Sequence, residues 1–166
     1  MSIAVVAMTT PQHIKTEGIN ANITPFAFQH YAKDFLGAFK AHKSAVKFSP
    51  ARLFLICRSI ELAAKSLHLV AGKSLKQLKT MSHDLEKACD TTVLCQNNIN
   101  LTAQEIDELR KANAYYAGKG FEYFIFKHAN VALESSGPEL AARGWPSLPD
   151  EVVLEQIANR LVSVKV

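Results

Sequence analysis

Arg58, Glu61, Lys65 and His68 stand at intervals of three, four and three residues. On a helix that spacing gathers all four within about 80° of arc. Two cations, a carboxylate and an imidazole on one stripe allow two readings. Glu61 and Lys65, at i and i+4 in the favourable order, can form a surface ion pair contributing about 0.3–0.5 kcal/mol. Alternatively Arg58, Lys65 and His68 face a phosphate, the guanidinium binding through two N–H groups and the ammonium as a point charge, with Glu61 orienting them. The opposite face of the same helix is apolar, through Leu53, Ile56, Cys57, Ile60, Ala63, Ala64, Leu67 and Val70.

A second group follows a short linker. Met81-Ser82-His83-Asp84-Leu85 reads as a helix start, with Ser82 as N-cap and Asp84 and Glu86 in a first turn where negative charge suits the dipole. His83 would then sit where free N–H groups favour an anion, and its imidazole can exchange protons near neutral pH. The plainer reading has His83 packing over the turn in support of Asp84. Tyr115, Tyr116 and Lys119 form a third group. Adjacent helical residues point about 100° apart. Tyr116 continues the apolar stripe of Ile106, Leu109 and Asn113 and is assigned to the core. Tyr115 is the one expected to stack on a base or donate its hydroxyl, with Lys119 at the edge. Asn113, on that stripe, needs a buried partner and is expected to tie helices together.

The elements that must position these groups are helices. Thr24-Pro25 predicts a first helix with an apolar face of Phe28, Tyr31, Phe35, Ala38 and Phe39. Ser49-Pro50 repeats the signal for a second helix running to about Ala71, with Gly72 as its stop. A third is predicted over 83–96. A fourth starts at Thr102, whose capping box is completed by Glu105, and ends at Gly118-Lys119-Gly120. Residues 121–134 read either as an aromatic strand or as a helix, more as core or interface than as a stacking platform. Residues 135–149 read as loop, and a last helix covers about 150–164 with Val153, Ile157 and Leu161 inward. The expectation is an all-α antiparallel bundle of four to five helices, with an extended segment allowed near 121–134. Residues 1–23 form a weakly patterned leader and 24–166 a single domain.

Composition bounds the function classes. The chain has 166 residues, 48% hydrophobic and 20% charged, in the range of a globular domain. No apolar run approaches a membrane span, and the short stretch Ile3 to Met8 lacks a basic flank, so a cytoplasmic protein without membrane association is expected. Three cysteines in no framework pattern fit reduced thiols. Neither a Cys-x-x-Cys nor a His-x-x-x-His pair occurs, and Gly118-Lys119-Gly120 is too short for a phosphate loop, so neither metal nor cofactor is expected. Residues 1–83 carry 11 Lys+Arg against 3 Asp+Glu, a balance of +8, and residues 84–166 carry 8 against 12, a balance of −4. Such asymmetry suits a surface for phosphates or nucleic acid, or attraction between the halves or to a second subunit.

Three places resemble the HEPN (higher eukaryotes and prokaryotes nucleotide-binding) family. Ser59-Ile-Glu-Leu-Ala-Ala-Lys-Ser-Leu-His68 is similar to its helix carrying a Glu and a Lys. Ser82-His83-Asp84-Leu85 is similar to its His-Asp-Leu signature, and Leu109-Arg-Lys-Ala-Asn-Ala-Tyr-Tyr-Ala-Gly-Lys119 to a later helix ending in tyrosines and a basic residue. The resemblance spans about residues 50–165. It implies a helical bundle, often dimeric, associated with nucleotide or RNA binding; many members are ribonucleases or parts of toxin–antitoxin and defence systems. The ribonuclease members carry an Arg and, shortly after it on a late helix, a His. Here Arg110 is followed at that interval by Tyr115, and the next His is His128. The resemblance therefore implies binding of a nucleotide, RNA or similar polyanion rather than catalysis. Arg58, Lys65 and His83 would contact phosphate, Glu61 and Asp84 would orient them, and His68, Tyr115 and Lys119 would complete the pocket. The alternatives are a metal-independent ribonuclease with His83 as base, and a homodimerisation or partner-binding module using 121–126 and the acidic second half.

Overall fold

The computed structural model describes residues 12–16, 19–44, 49–121 and 147–166. Helices dominate, as expected for an all-α bundle. They are α1 (Pro25–Ala41), α2 (Pro50–Val70), α3 (Leu75–Met81), α4 (Leu85–Ala88), α5 (Thr91–Gln96), α6 (Ala103–Tyr116) and α7 (Glu151–Ser163). Within the stretch read as a weakly patterned leader, β1 (Gln12–Thr16) pairs antiparallel with β2 (Ile19–Ile23).

The predicted caps are in place. Thr24 Oγ1 accepts from Ala27 N at 3.1 Å and Ser49 Oγ from Arg52 N at 3.3 Å. Thr102 and Glu105 bond each other's backbone as a capping box. Gly72, just beyond α2, has φ 84, a conformation that glycine adopts without steric cost.

The α2 helix is the axis of the bundle and contacts each of the other described helices. From Ser59 to Leu69 every residue is buried. The division into an apolar face and a charged surface stripe therefore fails: Glu61 is 1% exposed, Lys65 8% and His68 0%, because α3 and α4 cover the side expected to face solvent. Val70, placed on the apolar face, is 47% exposed. Leu53, Ile56, Ile60 and Leu67 meet Leu154, Ile157 and Leu161 of α7 in one core. Each such side chain contributes about 1.5–3 kcal/mol by leaving water.

The inward face of α1 is Gln29, Ala32, Leu36 and Phe39, rotated from the predicted one, and Tyr31 is 57% exposed. Gln29 accounts for the rotation. Its amide donates to Leu161 O at 2.8 Å and Val164 O at 3.0 Å, and its Oε1 accepts from Ser66 Oγ at 3.1 Å. A buried amide with three partners lies in the core at little cost.

The linker after α2 contains α3, capped by Ser74 and Gln77 in a reciprocal box. The single helix predicted over 83–96 is two. Ser82 does not start a helix but ends α3, at φ 49. The N-cap of α4 is Asp84, which accepts from Glu86 N at 3.1 Å and Lys87 N at 3.2 Å. Asp90 then caps α5 through Thr92 N and Val93 N. Each aspartate offers the backbone an alternative to a continuous helix. The stretch 121–149, read as strand or helix and then loop, falls largely outside the described residues. Of its aromatic run only Phe121 is described, and it is buried.

Candidate functional site

Glu61 is the hub of a cluster drawn from three parts of the chain. Its Oε1 accepts from Lys65 Nζ at 2.6 Å. Its Oε2 accepts from Arg58 Nη1 at 2.9 Å, from the Tyr116 hydroxyl at 2.5 Å and from His83 Nδ1 at 3.2 Å. A carboxylate offers about two lone-pair sites on each oxygen; three donors converge on Oε2 and one meets Oε1. Arg58 and Lys65 sit one turn to either side of Glu61 on α2, Tyr116 is the last residue of α6, and His83 lies in the turn between α3 and α4.

The Lys65 ammonium also donates to Ser82 O at 2.5 Å, which pins that turn to α2. The Arg58 Nη1 atom is 3.4 Å from His83 Nδ1. Because Glu61 Oε2 only accepts and lies closer, the proton on Nδ1 points to the carboxylate. The imidazole packs edge-on against the Tyr116 ring, with centroids 5.8 Å apart.

Burial alone would push the Glu61 carboxyl up. The charges of Lys65 and Arg58, with hydrogen bonds from Lys65 and Tyr116, outweigh it and hold the group below the usual carboxylate range. Burial and then the Glu61 charge push the Tyr116 phenol well up, so it remains a donor. Burial opposes the charge on Arg58, and the neighbouring carboxylate more than restores it.

The outer side of this cluster is one wall of a cavity of about 270 Å³. From α2 come Arg58, Glu61, Leu62 and Lys65; from α3 come Leu75, Leu78 and Lys79. Ser82, His83, Ile23 and Phe28 complete the lining. The α3 contribution follows from local sequence: once Ser74 and Gln77 fix the start, Leu75, Leu78 and Lys79 fall at i, i+3 and i+4 on one face.

Of the predicted site residues, the structure brings Arg58, Glu61, Lys65 and His83 together and separates the others. His68 is fully buried and donates from Nε2 to Ala88 O at 2.8 Å, joining α2 to α4. Its Nδ1 has no partner among the described residues, and burial lowers its pKa. Asp84 faces Lys87 and Asn113, with its Oδ1 accepting from Asn113 Nδ2 at 3.1 Å. Asn113 Oδ1 in turn accepts from Leu85 N at 2.8 Å, so this residue joins α6 to α4. The N–H groups of Leu85, Glu86 and Lys87 thus all have acceptors, and the open helix N-terminus expected beside His83 does not exist. Tyr115 stacks on Phe121, with centroids 5.5 Å apart, and burial pushes its phenol up. Lys119 is exposed in the turn after α6. Neither lines the cavity.

Sequence reasoning missed Tyr116 and Lys79. The apolar stripe assigns Tyr116 to the core; that a buried tyrosine hydroxyl needs a polar partner is the signal that points further, to a bond such as the one with Glu61. Lys79 was legible through the Ser74–Gln77 box. Among the described residues no three His, Cys, Asp or Glu side chains group as metal ligands, and no helix is long and apolar enough to cross a membrane. No protein-family model, curated protein or solved structure matches this chain.

Proposed function

We propose that this protein is a HEPN-like helical domain that binds a nucleotide, RNA or similar polyanion in the cavity beside Glu61, without catalysing a reaction. The observation that carries the reading is the shared lining: Arg58, Lys65, Lys79 and His83 all border one cavity against a single carboxylate, Glu61, which is already bonded to Arg58, Lys65, His83 and Tyr116. Glu61 acts as the internal counter-ion that orients these groups, and an incoming anion meets their outward sides. Arg58 and Lys65, held by Glu61, bind phosphate at less cost in side-chain ordering than free cations would.

Lys79 gives the cleanest test, because it is exposed and outside the Glu61 network, whereas Arg58 and Lys65 also hold the fold. In a thermal-shift screen with nucleotides and short RNAs at moderate salt, the native protein gains stability. A ligand at 100 times its dissociation constant adds about 2.7 kcal/mol. Lys79→Glu weakens the effect while leaving the ligand-free melting temperature nearly unchanged. Equal ligand-induced shifts in both proteins would refute the assignment.

The His83–Glu61 contact supports a second reading, a metal-independent ribonuclease. With Nδ1–H on the carboxylate, Nε2 can take the proton of a ribose 2′-hydroxyl while Arg58 stabilises charge on the phosphate. RNA that stays intact through long incubation with stoichiometric protein excludes this reading and leaves the binding one standing.

A further inference from the structure

We infer that the cavity takes a phosphate monoester carried on a compact apolar body, the phosphate against Arg58 and Lys79 and the body against Leu75, Leu78 and Phe28. The inference rests on the anion-binding reading above and narrows it to a small ligand bound by its terminal group.

Charge sets the first requirement. Arg58, Lys65 and Lys79 face the cavity against Glu61 alone, a formal surplus of two positive charges among these four side chains. A phosphate monoester is close to a dianion at neutral pH, whereas each internal phosphodiester of a nucleic acid carries a single charge.

The apolar wall sets the second. Leu78 is buried, and Leu75, Phe28 and Ile23 are half-buried around the same space. A bare phosphate would leave these surfaces wet, while a ring or short aliphatic body would cover them and contribute in proportion to the area removed from water. Size sets the third. At about 270 Å³ the cavity lies just below the roughly 300–1,000 Å³ of typical small-molecule sites. That leaves room for one phosphate and one ring-sized body.

Isothermal titration of the full chain with phenyl phosphate and with inorganic phosphate, at moderate salt, tests this. Phenyl phosphate is expected to bind at least about tenfold more tightly. The half-buried position Leu75→Ala narrows that ratio and leaves the affinity for inorganic phosphate nearly as it was. Lys79→Ala weakens both probes by similar factors. AMP and butyl phosphate, run alongside, separate a nucleoside from an aliphatic source of the same chemistry, and tighter binding of either than of inorganic phosphate upholds the inference. Equal affinity of inorganic phosphate and all three organic monoesters overturns it while the anion-binding reading stands. So does binding of RNA without binding of any monoester. Failure of every phosphate and every RNA to bind overturns both.

Discussion

The Tyr116 hydroxyl donates to Glu61 Oε2 at 2.5 Å, joining the last residue of α6 to the middle of α2. Glu61 is 1% exposed, so this bond is made where water is scarce and a lost donor is not replaced. Tyr116→Phe keeps the ring packed against Phe54 and His83 and deletes only the hydroxyl. A hydrogen bond to a buried charged group is worth about 1.5–3 kcal/mol. We expect a loss of that order in urea unfolding, with an unchanged m-value. A loss below about 0.5 kcal/mol would show that the other three donors suffice.

Glu61 itself should be less replaceable than its partners. Glu61→Gln keeps the shape, removes the charge, and leaves Arg58 and Lys65 without their counter-ion. Breaking a buried ion pair from one side typically costs about 3–5 kcal/mol. Adding Lys65→Met removes one stranded cation and should recover part of the loss. The double-mutant cycle, read from denaturant midpoints, would then give a coupling of at least about 1 kcal/mol. Additive losses would mean that the two side chains do not depend on each other.

Much of this fold could be read from the chain, and the reason is local. Thr24-Pro25, Ser49-Pro50, Thr102 with Glu105, and Asp150 each fix a helix start through groups within a few residues, and each start is present. The Ser74–Gln77 box starts α3 where only a linker is expected from the sequence. What the periodicity could not supply was which side of α2 faces water. That depends on α3 and α4 folding back over Glu61, Lys65 and His68, a consequence of the turn at Ser82. The cluster was legible as far as it lay on one helix, in Arg58, Glu61 and Lys65, and through His83. Tyr116 was out of reach because its partner is distant in sequence. His68 shares the α2 stripe, yet it reaches past the site to Ala88, a difference that a helical wheel cannot express.

Acid should act on two groups in opposite chemical senses but the same direction. The Glu61 pKa is depressed in the folded state. Its contribution to stability is therefore fully present above the unfolded carboxylate range and is lost as pH falls through the lower folded value. The His68 pKa is also lowered, from an ordinary 6.5, by burial. The unfolded chain thus takes up a proton on His68 that the folded chain resists, and stability falls as pH drops below about 6.5. Lys73 disfavours that proton and Asp90 favours it; neither offers the unpaired Nδ1 an acceptor. Unfolding free energy measured from pH 8 to pH 4 should decline first below about pH 6.5. His68→Gln retains an amide donor for Ala88 O and should be flat between pH 7 and 5.5. A native protein equally flat over that interval would remove His68 as the cause.

Ser82 stands at φ 49 and ψ −131, outside the regions open to L-residues without strain. Its carbonyl oxygen is held by Lys65 Nζ at 2.5 Å, and the next residue is His83, so the Lys65 contact fixes the turn from which the imidazole meets Glu61. Such a conformation costs about 1–3 kcal/mol in a non-glycine residue. Glycine adopts it freely but loses about 0.5–1 kcal/mol more backbone entropy on folding. The mid-range balance favours Ser82→Gly by about 1 kcal/mol, visible as a higher denaturant midpoint. Ser82→Ala retains the Cβ that causes the strain and should gain nothing. Because Lys65 fixes the carbonyl in either case, phosphate binding by Ser82→Gly should match the native protein. A glycine variant that is more stable but no longer binds would mean that the strain, rather than the Lys65 contact, holds His83 in position.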